Sequence, residues 1–253
     1  MFDPRLALAS LSGESDAAWA RRAEAHAGAA FLGGIAIDKP SRRAARQLVD
    51  RDREEFLPSD PLAFVDRELG ALDDAPIRAG FNVRSGSRAP IREAAETCHE
   101  HDAIIELNAH CRQDELCAVG CGETLLRDAH RLCEQVETAA DTGATVSVKV
   151  RAEVPGVSLP DTARWVAAAG ADIIHVDAMD SESVIRDVAD ATDLFVIANN
   201  GVRDTATARE YLDDGADAVS VGRPSDRPAV LRHVREAVDE WFETRVEQAG
   251  AGG

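Results

Sequence analysis

Lysine is almost missing from this chain: of 28 basic residues only Lys39 and Lys149 are lysine, and the rest are arginine. No apolar run approaches the roughly 18 residues that cross a membrane, and no apolar leader follows Met1, so neither a membrane span nor a secretory signal is expected. Cysteine is sparse and odd in number, five in 253 residues, which argues against a disulfide scaffold and for free thiols in a reducing, cytoplasmic setting. No linker or low-complexity tract divides the sequence. One domain is therefore expected over residues 1–247, with 248–253 as a flexible tail.

Acid is what the chain has in excess. Its 46 Asp and Glu residues give a net charge of -18. Together with many small Ala, Gly and Asp residues, this resembles halophilic proteins of a salt-rich cytoplasm, where a Debye length of about 3 Å at 1 M leaves surface self-repulsion nearly harmless. The same charge opposes binding to a phosphate backbone at ordinary salt, so a nucleic-acid partner has to be argued on other grounds.

Short apolar runs recur at 6–9, 30–37, 77–81, 104–107, 146–150, 173–176, 194–198 and 218–221. Alanine-rich segments with helical spacing alternate with them at 16–26, 41–54, 89–101, 124–141, 160–169, 182–191, 206–214 and 227–247. Two of the joints repeat as Gly170-Ala171-Asp172 and Gly215-Ala216-Asp217, with glycine suited to the left-handed position that ends a helix. Eight strand-helix units in a length near the roughly 250 residues of a (β/α)8 barrel favour the closed α/β barrel over an open doubly wound sheet. The irregular stretch 56–76, with a helix expected at 62–69, reads as an insertion within that barrel.

A barrel of this kind does its chemistry at the carboxyl ends of its strands, and those ends are polar here. They carry Ser10, Leu11 and Ser12 after the first strand, Asn82 after the third, Asn108 and Cys111 after the fourth, and Lys149 and Arg151 on the fifth. His175 lies on the sixth, Asn200, Gly201 and Val202 follow the seventh, and Gly222 and Arg223 follow the eighth. The last two loops contain glycine and occupy the place where many barrels bind a phosphate on backbone N–H groups. Lys149 stands out because a chain that has nearly dispensed with lysine keeps one inside an apolar strand. A buried ammonium needs an anionic partner, either a ligand at the mouth or a carboxylate of the barrel. Cys111, in a polar loop, is a candidate nucleophile or proton donor, whereas Cys98 and Cys133 fall in helical patterns and read as core. The spacing of Cys111, Cys117 and Cys121 fits no familiar zinc or iron–sulfur arrangement, so no metal is expected.

Several of these stretches resemble the FMN-dependent dihydrouridine synthases, relatives of dihydroorotate dehydrogenase. Residues 8–16, Leu-Ala-Ser-Leu-Ser-Gly-Glu-Ser-Asp, are similar to the family's Leu-Ala-Pro-Met-Ala-Gly-Val-Thr-Asp at identical spacing. Asn108-Ala109-His110-Cys111 resembles Asn-Met-Gly-Cys, with Arg112 where the family has proline, and residues 120–128 resemble Gly-Ala-Gly-Ser-Ala-Leu-Leu-Arg-Asp. The Val-Lys-Ile-Arg, Val-His, Asn-Gly-Asp and Ile-Gly-Arg segments have counterparts at 148–151, 174–175, 200–202 and 221–223.

The resemblance implies that hydride passes from reduced FMN to C6 of a uracil ring while Cys111 protonates C5, with NADPH or NADH as reductant. It implies that Lys149 contacts the flavin ring and that Asn200, Gly201, Gly222 and Arg223 hold the phosphate. Ser10, Leu11, Ser12, Asn82, Asn108, Arg151, His175 and Val202 complete the expected cofactor site, with Lys149 and His175 joining Cys111 as catalytic residues. Uridine in tRNA is the substrate the family implies, although only thirty residues follow Arg223, where the family continues into a helical tRNA-gripping domain. The chain thus resembles a shorter, barrel-only archaeal branch. Reduction or dehydrogenation of a small free pyrimidine, and a non-catalytic barrel that binds a phosphate ligand, are the competing expectations.

Overall fold

Each apolar run forms a strand because both of its faces find partners, one against surrounding helices and the other inside the barrel. In the computed structural model, which describes residues 1–251, the eight strands are β1 (Leu6–Leu8), β2 (Ala29–Ala36), β3 (Arg78–Arg84), β4 (Ile104–Asn108), β5 (Thr145–Arg151), β6 (Ile173–Asp177), β7 (Phe195–Asn199) and β8 (Ala218–Val221). They pair in parallel in chain order, and β8 returns to β1, so the sheet closes. This is the (β/α)8 barrel expected from the alternation.

The helices are α1 (Ala17–Ala23), α2 (Lys39–Val49), α3 (Pro61–Gly70), α4 (Arg88–Glu100), α5 (Asp114–Ala118), α6 (Glu123–Arg127), α7 (Ala129–Ala140), α8 (Leu159–Ala168), α9 (Val184–Ala189), α10 (Thr205–Asp213) and α11 (Pro228–Ala251). Part of the acid excess is spent at their starts, where aspartate oxygens accept from otherwise unpaired backbone N–H groups. Asp16 accepts from Trp19 N at 2.7 Å, Asp38 from Ser41 N at 2.7 Å and Asp204 from Thr207 N at 2.9 Å. The repeated Gly-Ala-Asp joint has a physical account as well. At the end of α8, Ala171 N donates to Val166 O at 2.9 Å and Gly170 N to Ala167 O at 3.0 Å, with Gly170 at φ +100°, which closes the helix. Asp172 then accepts from Val146 N at 2.8 Å, and Asp217 accepts from Val196 N at 2.9 Å, so each aspartate ties down the start of the preceding strand.

Three expectations change. The helix expected over 124–141 is two helices, because Asp128 leaves helical geometry and its side chain caps the second by accepting from Arg131 N at 3.1 Å. The short α5 follows Cys111 in a stretch expected to be loop. The last helix runs to Ala251, into the segment expected as a tail, while residues 252 and 253 lie outside the described residues. Among the described residues no helix is long and apolar enough to cross a membrane.

Inside the barrel the residues alternate in kind with height. Ala7, Ala29, Phe31, Ile104, Ile173, Ile197 and Ala218 form an apolar floor. Phe31 fits there because Gly80 has no side chain: a Cβ on Gly80 would come within 2.7 Å of the Phe31 ring. Above the floor the inward positions turn polar, and the candidate site begins.

Candidate active site

Period-two alternation along β4, β5 and β6 sends Glu106 and Asn108, Lys149 and Arg151, and His175 and Asp177 inward, while Leu107, Val148 and Val176 pack outward into the main core. Glu106 is fully buried and accepts from three side chains. Asn82 donates to it at 2.7 Å, Ser147 at 3.2 Å and His175 Nδ1 at 2.7 Å. Burial by itself raises the Glu106 pKa, but the Lys149 charge and the hydrogen bonds it accepts from His175 and Asn82 outweigh that and hold the carboxyl below the usual range. His175 moves down, through burial and the Lys149 charge, and is neutral; its proton sits on Nδ1 facing Glu106, and Nε2 lies 2.8 Å from Ser220 Oγ.

The network continues upward. Asn108 Nδ2 donates to Asn82 Oδ1 at 2.8 Å, and Asn108 Oδ1 accepts from Cys111 N at 3.2 Å. A chain of hydrogen bonds therefore runs from Ser220 on β8 to the backbone of the loop that carries Cys111. That loop is fixed from its other side by Gly122, whose φ is +59° and whose missing Cβ would lie 2.0 Å from Cys111 O. Burial pushes the Cys111 thiol above its ordinary pKa, with Arg84 pulling the other way, so the sulfur holds its proton at neutral pH. The thiol donates to Gln113 Oε1.

Two adjoining cavities open above this network, of 530 Å³ and 390 Å³. Both are walled by Ser10, His110, Asp177, Asn200 and Arg223. The first adds Leu11, Lys149, Gly201, Val202 and Gly222. The second adds Ser12, Asn108, Cys111, Arg112 and Arg151. Most of the residues expected at the site are thus brought together, and the division between the cavities separates lysine from thiol. Asn82 and His175 are the exceptions. Both are fully buried, line neither cavity, and spend their polar atoms on Glu106, Asn108 and Ser220. They support the site from below instead of facing a ligand. Glu106, Ser220, Asp177 and Arg84 were not singled out from the sequence, although a lone carboxylate within Ile104-Ile-Glu-Leu carries the same signal as the lone lysine in β5.

The donor set of the first cavity suits the FMN implied by the sequence resemblance. Lys149 is 2 % exposed, lines the cavity and forms no ion pair within 4.0 Å among the described residues. Burial lowers its pKa while Glu106 and Asp177 oppose that, and its ammonium suits an electron-rich group entering the cavity. Among the described residues, the backbone N–H groups of Gly201, Val202 and Gly222 donate to no other group of the chain. The preceding Asn200 is held at φ +96°, with its Nδ2 donating to Met179 O at 3.0 Å and its carbonyl accepting from Tyr211 OH at 2.9 Å. N–H groups with no partner in the chain, beside the guanidinium of Arg223, have the donor chemistry that suits a phosphate.

The comparisons agree. A protein of Methanocaldococcus jannaschii described as uncharacterized is 26 % identical over 234 residues, covering 88 % of this chain and 89 % of its own length. Among solved structures, morphinone reductase in complex with tetrahydroNAD superposes with a TM-score of 0.66 at 14 % identity, covering 90 % of this chain and 86 % of that one. The tryptophan synthase complex from Pyrococcus furiosus gives 0.59 at 15 % identity, with 98 % of each chain covered. FabK from Thermotoga maritima gives 0.53 at 15 % identity over 87 % of this chain and 58 % of FabK. At such identities these structures speak for the barrel alone. The family model of dihydrouridine synthase (Dus) matches residues 79–249, which include Cys111, Lys149 and both glycine loops. The chain belongs to the dihydrouridine synthase family and is an FMN-dependent oxidoreductase of the barrel type.

Proposed function

We propose that this protein reduces the C5=C6 bond of a uracil ring and that Cys111 gives the proton to C5. The observation that carries this reading is the place of the Cys111 thiol. It lies at the wall of the second cavity, which adjoins the first through Ser10, His110, Asp177, Asn200 and Arg223, so a ring bound there has a proton donor beside it. FMN held in the first cavity would supply the hydride for C6, and NADPH or NADH the reducing equivalents. Lys149 holds the flavin ring, with Ser10, Leu11 and Ser12 along the same walls. The N–H groups of Gly201, Val202 and Gly222 and the Arg223 side chain hold its phosphate.

After giving up its proton, Cys111 is a thiolate beside Arg84, whose positive charge favours that form. The thiolate regains a proton from water entering the second cavity, which returns the acid for another cycle. Asn108, accepting from Cys111 N, keeps the sulfur at one height above the barrel. The uracil of tRNA is the carrier that the family implies. A cytoplasmic setting suits the five free cysteines.

Reconstitution with FMN followed by anaerobic mixing of the reduced protein with uridine tests the reading. Reoxidation of the flavin matched by loss of the C5=C6 chromophore is expected. A protein that retains no flavin after reconstitution sinks it.

A further inference from the structure

The second cavity gathers positive charge in a strongly acidic chain. Arg53, Arg84, Arg112, Arg151 and Arg223 line it, with Asp177 as the one carboxylate among the lining residues. Two of the five are committed to the protein. Arg84 Nη1 is 2.6 Å from Glu55 Oε2, and Arg151 Nη1 is 2.6 Å from Glu123 Oε1. Arg223 also faces the first cavity, where it serves the flavin phosphate. Arg53 and Arg112 remain. They reach the mouth from separate parts of the chain, one beyond α2 and one directly after Cys111, and among the described residues neither makes an ion pair within 4.0 Å or a side-chain hydrogen bond. Elsewhere many surface arginines are paired with carboxylates, as in Arg88–Glu134, Arg186–Asp214 and Arg209–Glu240.

Arg112 replaces a proline of the family motif, and His110 replaces its glycine. The His110 imidazole stands on the wall shared by the two cavities, and its Nδ1 is buried without a partner. Both departures thus place new hydrogen-bonding groups on the thiol side of the site. A polymer with a phosphate on every unit is recognised along a path of basic residues. Here Arg53 and Arg112 share one mouth of 390 Å³, a volume in the range of small-molecule sites, on a chain of net charge -18.

We propose that the substrate is a uridine mononucleotide, with its compact phosphate dianion held by Arg53 and Arg112 and its uracil beside His110 and Cys111. The inference rests on the uracil-reduction reading above and narrows the substrate from any uracil to a phosphorylated one. Calorimetric titration of the FMN-loaded protein with UMP, uridine, inorganic phosphate and unmodified tRNA tests it. UMP is expected to bind roughly ten to a hundred times more tightly than uridine, the range for charge-assisted hydrogen bonds to phosphate. R112Q and R53Q are each expected to shrink that ratio. Both side chains are exposed and unpaired, so neither replacement disturbs the fold. Equal affinity for UMP and uridine, a ratio unchanged in both variants, or tRNA binding more tightly than UMP overturns the inference. A flavin-loaded protein that reduces uridine without preferring UMP sinks this inference alone, whereas failure to hold flavin sinks the uracil-reduction reading with it.

Discussion

In β4 the side chain of Ile104 faces the floor of the barrel, and two residues on Glu106 faces the same interior one row higher. Around Ile104 everything is apolar, and its contribution scales with the area it removes from water. Around Glu106 everything is polar, and its contribution depends on Asn82, Ser147, His175 and the Lys149 charge being present together. One strand with one alternation thus supplies both a stabilising layer and a layer that orders the ligand-facing residues above it. The lower layer tolerates a change of shape. The upper layer is sensitive to the loss of any one partner, because a buried polar group left alone keeps its full desolvation penalty.

Substitutions can separate the two layers. The largest effect is expected just above the upper one, where Cys111→Ala should lower turnover of the FMN-loaded protein about 10²–10⁴-fold with flavin affinity retained. Undiminished turnover by stopped-flow would remove the acid role. Next comes a matched pair measured by urea unfolding and flavin titration. Glu106→Gln removes the charge that opposes the burial of Lys149 and disturbs the bonds from Asn82, Ser147 and His175, and should cost about 1–3 kcal/mol while weakening flavin binding. Ile104→Ala should cost about 2–5 kcal/mol and leave flavin affinity alone. Equal effects of both on flavin affinity would dissolve the distinction.

A pH series sharpens it further. Glu106 has a folded pKa below its unfolded one, so its contribution is present above the ordinary carboxylate range and is lost as pH falls through the folded value. His175 is also lowered, so the unfolded chain binds more protons below neutrality, and stability again rises with pH. Urea midpoints should therefore fall on acidification in the parent and in Ile104→Ala, and less steeply in Glu106→Gln. The smallest change is Ser147→Ala, which removes one of the bonds Glu106 accepts, for about 1 kcal/mol by the same unfolding measurement.

The alternation of strands and helices was legible because each run is apolar on both faces, the mark of a strand covered by helices outside and filled within. The set of polar strand ends was legible too, since strand parity places Lys149 and Arg151 on one side. Depth was not. Strands in a closed barrel tilt and stagger, so equal distances from strand ends become different heights, and Asn82 and His175 end beneath the cavities while Asn108 and Arg151 reach them. Glu106 was not legible because one carboxylate among 46 acidic residues carries less signal than one of only two lysines. The break at Asp128 was hidden because residues on both sides continue a helical apolar pattern.

Scarcity of lysine also has a practical consequence. Primary amines are confined to Met1, Lys39 and Lys149, and the first two are exposed. Amine-directed labelling therefore has two outer targets that serve as internal controls and one target on the wall of the cavity. The rate at which a small aldehyde modifies Lys149, followed by mass spectrometry with and without added ligands, reports occupancy of the site without a dye, a mutation or any turnover.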